Sequence, residues 1–315
     1  MRRILLLLLP LCAVFFSGNA YLINLSIVTA LFTLPALGLS LLMGYTGQIS
    51  LGHAAFVGLG AYGTAMLCKG VGLNPWMAIV AGTLFAAFAA WAIGWLVFRL
   101  RGHYLAMATL AFGIIIHLVT VGLRGLTGGQ DGLSGIPSLS VFGYVLNSDA
   151  KFFPFVWGVC ILAIMLAGNL VHSPAGYAMR AVAESEPVAS SVGIAPDRLK
   201  RHVMALSGLY AGLGGALYAH YLGYISPSPF DVDFSVRLLM MVAMGGFAGI
   251  WSVLFGTLFI VVAGELLKPF GTYDTVLYGT LLVIVMIWCP RGLLEGIGSL
   301  WRRFFRIWRR GEVAR

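Results

Sequence analysis

Residues 4–68 read "ILLLLLPLCAVFFSGNAYLINLSIVTALFTLPALGLSLLMGYTGQISLGHAAFVGLGAYGTAMLC" and contain no Asp, Glu, Lys or Arg. A helix crosses a bilayer with about 20 apolar residues, so this stretch alone has room for three crossings. The pattern continues outward from it. Residues 70–98, 102–123, 152–179, 202–230, 238–264 and 275–290 are also free of those four residue types. Only 10% of the 315 residues are charged and mean hydropathy is +0.93, whereas soluble domains average about 25% charged. In hydrocarbon, only helices or closed barrels satisfy every backbone donor and acceptor, and barrel strands would alternate polar with apolar residues. These runs do not alternate. The fold class is therefore all-α, a polytopic integral membrane helical bundle read as one domain over 1–315.

Ten spans fit the runs, at roughly 4–18, 22–43, 50–68, 75–98, 102–123, 152–171, 202–222, 235–249, 251–267 and 273–289. Residues 235–267 are long for one span and short for two; charge parity favours two short or partly inserted helices. With both termini inside, 15 of the 20 Lys and Arg fall on the inner side, and Lys69, Arg124, Lys151, Arg237 and Lys268 on the outer. The net charge of +9 thus follows the positive-inside rule and argues against a nucleic-acid partner. The opening twenty residues also read as a signal peptide with a cleavage site at Gly18-Asn19-Ala20. Neither use changes the direction of the second span. Cys12, Cys68, Cys160 and Cys289 stand singly and make no disulfide framework or CxxC pair.

"GYAMRAVAESEPVASSVGI", residues 176–194, is charged and small-sided between two apolar blocks. It is the core of an inner loop spanning 172–201. Pro174 suits the first turn of a helix, and Pro187 breaks that helix while fitting the first turn of another, capped by Ser185 or Glu186. Gly193 is placed to end the second helix in the left-handed region. Such a segment could lie on lipid, pack on its own subunit, or dock into another protein. Residues 175–194 hold no Trp, Phe, Leu or Lys, which a lipid-surface helix wants. At helical spacing, Ala178, Ala181, Val182, Ser185, Val188, Ala189 and Val192 form a small stripe suited to a groove, so docking is favoured over self-packing. The basic tail, 291–315, provides the contrast. In WRRFFRIWRR, 301–310, Trp301, Phe304, Phe305 and Trp308 share one face among arginines, the design of a membrane-surface helix.

A second anomaly lies at 44–63, GYTGQISLGHAAFVGLGAYG. It puts Gln48, Ser50 and His53 at membrane depth among glycines, Gly58 included. Broken helix in a membrane belongs where it lines a cavity or packs on protein. A half-helix starting near Ser50 would aim its positive end at an anionic substrate group. Thr109 and His117 are further polar candidates for a substrate path. Each of these residues also reads as a packing residue bonded to a neighbouring helix. Arg237 and Glu265 sit near span ends, where they would snorkel or pair locally. Small-xxx-small pairs such as Gly208 and Gly212 let helices approach closely, most simply inside one subunit. The outer loop segment GGQDGLSGIP, 128–137, either orders against a partner or is a solvated turn region.

Several of these motifs, in this order, resemble the LivM-type permease of branched-chain amino-acid ABC importers. They are MGYTGQISLGHAAFVGLGAYGTAML at 43–67, GHYLAMATLAFG at 102–113, GGQDGLSGIP, the 176–194 stretch, LSGLYAGLGGALYA at 206–219 and MVAMGGFAGIWSVLFG at 241–256. The resemblance implies a permease with no catalytic or metal site, in a bacterial inner membrane. It implies that Gly176, Arg180, Ala181, Glu184, Glu186, Ala189 and Gly193 belong to coupling helices seated in a cytoplasmic ATPase. Ser190 and Ser191 stand where that family often has Glu and Ala. Implied partners are a second LivH-like permease, two LivG/LivF-like ATPases binding ATP and Mg, and a periplasmic amino-acid-binding protein. The chain itself has no P-loop: its lysines, 69, 151, 200 and 268, follow Cys, Ala, Leu and Leu, never Gly. Relatives carrying urea, amides or aromatic acids are the alternative. An ion-coupled transporter would want acidic residues within its spans, and an intramembrane enzyme a convergent polar site; the span interiors show neither.

Overall fold

The computed structural model describes residues 18–267 apart from 101, 142 and 248, together with 279–280. Apart from Gly18 and residues 279–280, the expected first and last spans and the basic tail lie outside these residues. Eleven α-helices occur among the described residues: α1 (Ala20–Thr46), α2 (His53–Gly70), α3 (Pro75–Val97), α4 (His103–Gly122), α5 (Arg124–Thr127), α6 (Asp149–Val171), α7 (Pro174–Glu184), α8 (Glu186–Ser191), α9 (Pro196–Leu222), α10 (Val232–Gly245) and α11 (Ile250–Leu267). Local chemistry sets their ends. The Asn19 and Asn74 side chains accept the backbone N–H groups of Tyr21 and Trp76, each at 3.0 Å, capping α1 and α3. Gly47, at φ 68°, closes α1, and Gly223, at φ 66°, closes α9.

By length and composition α1, α3, α4, α6 and α11 can each cross a membrane. Helix α9 begins at Pro196, earlier than the expected 202, so Arg198, Lys200 and Arg201 are helical. Proline in the first turn carries no N–H that needs a partner, which explains the earlier start. The ambiguous stretch 235–267 is two helices parted at Gly246, whose φ of 92° suits glycine. Helix α10 has 14 residues, about 21 Å at 1.5 Å per residue, too short to cross the hydrocarbon unaided.

The 27-residue α9 is the central post, packed against α1, α2 and α3. Glycines permit that closeness. A Cβ on Gly212 would strike Ala86 and Thr83, one on Gly60 would strike the Gly212 backbone, and one on Gly215 the Val57 carbonyl. The small-residue pairs therefore serve packing within the chain. Helix α4 is peripheral, burying only Leu105 and Thr109. Four two-residue strands form at the end opposite α7 and α8. Here β1 (Leu133–Ser134) pairs antiparallel with β4 (Tyr224–Ile225), and β2 (Ser140–Val141) with β3 (Tyr144–Val145). Loop 128–137 keeps residues 130, 131, 134, 135 and 137 exposed, as a solvated turn region would, and is also tied to its own chain. Lys69 Nζ donates to Ser134 O at 3.0 Å, and a His220 ring nitrogen lies 2.7 Å from Pro137 O.

Candidate functional site: the paired short helices and the polar break

Helices α7 and α8 follow the punctuation of the sequence. Pro174 and Pro187 lie in their first turns, the joint is Ser185 at φ −162°, and Gly193 has φ 85°. The pair is held on its own chain by charged groups. The Arg180 guanidinium lies 5.4 Å from the Tyr45 ring at the end of α1 and 5.6 Å from Tyr177. It also donates to Val171 O at the end of α6, at 3.4 Å. A cation there meets the carbonyl-rich terminus of α6 as well as two ring faces. Glu186 forms an ion pair with Lys200 of α9, whose side chain is only 4% exposed. Burying a lysine so deeply is tolerable because a carboxylate is its partner.

The small stripe does not face one way. Val182 and Ala189 are buried, while Val188 is 64% exposed and Val192 71%. A helix of six residues after a sharp bend cannot continue the face of the preceding one. Gly176 is buried as well, because a Cβ there would collide with the Leu170 and Val171 carbonyls. Gly176 and Ala189 thus support the pair from beneath. Tyr177, Glu184, Val188, Ser190 and Ser191 are exposed, and Ala181 is half-buried.

The second anomaly is a non-helical break at 47–52 between α1 and α2. Its polar groups are largely satisfied from neighbouring helices. The Leu51 N–H donates to Thr109 Oγ1 at 3.1 Å, and that hydroxyl donates to Ala106 O at 2.9 Å. The Ala54 N–H donates to Ser235 Oγ at 3.0 Å. Hydroxyls of this chain thus occupy amides that a half-helix would need for an anion. His53 is fully buried, with Nε2 3.3 Å from Ser207 Oγ. Ser50 Oγ and His53 Nδ1 are buried without a hydrogen-bond partner among the described residues.

The six path candidates therefore separate into three places. Ser50, His53 and Thr109 meet at the break. Gly58 and His117 lie farther along α2 and α4, with Tyr62 and Phe230, around a small cavity. Gln48 donates to Thr46 O at 2.9 Å and lines a cleft with the Ser185 joint of the short helices. Lys200, Tyr45, Ser207 and Ser235 are the contributors that sequence reasoning missed. Lys200 sits between Arg198 and Arg201, so the sequence does not single it out from its basic neighbours, and a tyrosine or serine inside an apolar run gives no signal either. Among the described residues no cluster of three His, Cys, Asp or Glu could hold a metal ion.

Fold and site together define a multi-pass helical membrane protein with a paired-helix appendage held by charges at one end. Its residues 21–288 match the family model for the branched-chain amino acid transport system permease component, and the chain belongs to that family. It is 32% identical over 295 residues to the high-affinity branched-chain amino acid transport system permease protein LivM of Escherichia coli (strain K12), covering 86% of this chain and 69% of that one. It is 26% identical over 285 residues to the LivH permease protein of Salmonella typhimurium, covering 84% and 91%. A probable LivM protein of Methanocaldococcus jannaschii is 24% identical over 250 residues, covering 74% and 69%. No solved structure matches the chain. This is a LivM-type permease.

Proposed function

We propose that the chain is one of two permease subunits of an ATP-driven importer of branched-chain amino acids in a bacterial inner membrane. Its termini and the 172–201 loop face the cytoplasm. A second LivH-like permease completes the route, two separate ATPases bind ATP and Mg, and a periplasmic binding protein delivers the substrate. Helices α7 and α8 seat in the ATPases and carry their closure into the bundle.

One observation carries this reading. The short helices are fixed to α1 and α6 through Arg180 and to α9 through Glu186–Lys200, yet they expose Tyr177, Glu184, Val188 and Val192. A segment anchored to three long helices can transmit a push received on its free face. A loop that merely packed on its own subunit would bury such apolar groups. The test is co-purification of the candidate ATPases with the wild-type chain and with Val188→Asp/Val192→Asp. The double substitution is expected to abolish capture and uptake while the chain still inserts. Normal uptake by it would remove this role from the loop.

A further inference from the structure

The last turn of α1 and the 47–52 break touch two different parts of the molecule. On one side is α7. The Tyr45 ring lies 5.4 Å from the Arg180 guanidinium. A Cβ on Gly47 would stand 3.7 Å from the Ala183 Cα, and Gln48 shares a cleft with Val182 and Ser185. Farther along, the break meets α4. The Leu51 N–H donates to Thr109 Oγ1 at 3.1 Å. A Cβ on Gly52 would strike the Thr109 carbonyl oxygen, and one on Gly113 would stand 3.2 Å from the Gly52 Cα. Glycine at both places lets the α4 backbone sit directly on the break, and the hydroxyl bond fixes its register.

Helix α4 is held more loosely away from that contact. Among the described residues it is the least buried of the five helices able to cross a membrane. Beside the break the Phe112 and Phe56 rings lie 5.4 Å apart. Beyond them a small cavity lies between Gly58 of α2 and His117 of α4. A close-packed interior resists displacement, whereas a gap on one flank forfeits contacts and leaves room for it. The break itself is short: six residues span at most about 20 Å. A shift imposed at Gly47 therefore reaches Gly52 through very little chain. Residues at the ends of helices are also where hinges absorb changes of backbone angle.

We propose that the break is a relay. Displacement of α7 against Gly47 and Gln48 is carried along residues 47–52 into α4, and the first half of α4 is the moving part of this subunit. Gly52, Thr109 and Gly113 are the positioning residues of that relay. They decide whether α4 follows the short helices, and they act without touching the substrate. The inference rests on the transport reading above and names the span that the ATPases displace.

The test uses the assembled transporter, with a non-hydrolysable ATP analogue as probe for distances and L-leucine for uptake. In a chain freed of its native cysteines, spin labels are placed by Met107→Cys, Leu96→Cys and Leu166→Cys on exposed faces of α4, α3 and α6. On nucleotide binding the 107–166 distance is expected to change by about 2 Å or more, while the 96–166 distance stays fixed. Gly113→Val, which wedges α4 off the break, is expected to cancel that change. It should also lower leucine taken up per ATP hydrolysed by about tenfold. Thr109→Val, which drops the hydroxyl and keeps the shape, is expected to lower the ratio in part, and Thr109→Ser to restore it. A purely structural loss would lower uptake and hydrolysis together, leaving the ratio and the distance change intact. A 107–166 distance unmoved by nucleotide, or an unchanged ratio in Gly113→Val, overturns the relay and leaves the transport reading standing. Should Gly113→Val fail to assemble, the distances in the unsubstituted background and the two Thr109 variants decide. A chain that captures no ATPase removes both.

Discussion

The 172–201 loop and the 47–52 break are the two places where polar residues interrupt this apolar chain, and the structure treats them oppositely. The loop uses its charges to fasten itself to the bundle, through Arg180 and Glu186–Lys200, while part of its apolar surface stays outside. The break turns its polar groups inward, where a hydroxyl of α4 takes up its Leu51 amide and one of α10 the Ala54 amide in the first turn of α2. Polarity in a membrane chain therefore marks two different needs. One is the fastening of a segment that keeps apolar side chains exposed; the other is a joint that must be satisfied where it lies.

The sharpest way to break that contrast is removal. Deleting residues 177–192 is expected to abolish uptake in whole cells, whereas Ser50→Ala, at a hydroxyl with no partner among the described residues, is expected to leave it near wild type. Equal losses would erase the distinction.

Next in size is the anchor. Glu186→Ala strands the Lys200 ammonium, so thermal unfolding in detergent should show destabilisation of about 2–3 kcal/mol. That lies below the fully buried range because Glu186 keeps 32% of its side-chain exposure. Lys200→Met is expected to cost less, since it removes the buried charge along with the pair. The reverse order would mean that the pair does not fasten α8.

On the other side of the contrast, Thr109→Ala leaves the Leu51 N–H of the break, and Ser235→Ala the Ala54 N–H in the first turn of α2, without its acceptor. Each is expected to cost about 1–2 kcal/mol by the same assay. No change in either would show the break satisfied by other means. The smallest expected effect belongs to Arg180→Gln, where loss of the ring and carbonyl contacts at an exposed residue should cost about 0.5–1 kcal/mol. It should also impair coupling of ATP hydrolysis to uptake more than stability.

Much of this was legible beforehand. Charge-free runs give helix positions because hydrocarbon leaves the backbone few alternatives, and eight of the expected spans have helices at their places among the described residues. Pro174, Pro187 and Gly193 announced the paired short helices, since each of those residues restricts the backbone on its own. Facing was not legible. Ala189 and Val188 are neighbours of similar character, yet one is 1% exposed and the other 64%; the bend at Ser185 decides that, and spacing along one ideal helix ignores it. Arg237 and Glu265 read from sequence as span-end charges and share one cavity only because α10 and α11 fold back on each other. The hydroxyls of Thr109 and Ser235 served the break from far away in the chain, a relation no local pattern carries.

The most direct measurement joins an accessibility assay to a cross-link at a single exposed position. In a chain freed of its native cysteines, Val188→Cys is predicted to resist a membrane-impermeant maleimide added to the periplasmic side of spheroplasts. In the assembled complex it is predicted to cross-link to an ATPase subunit. Rapid labelling from the periplasmic side, with no cross-link to either ATPase, would contradict the account.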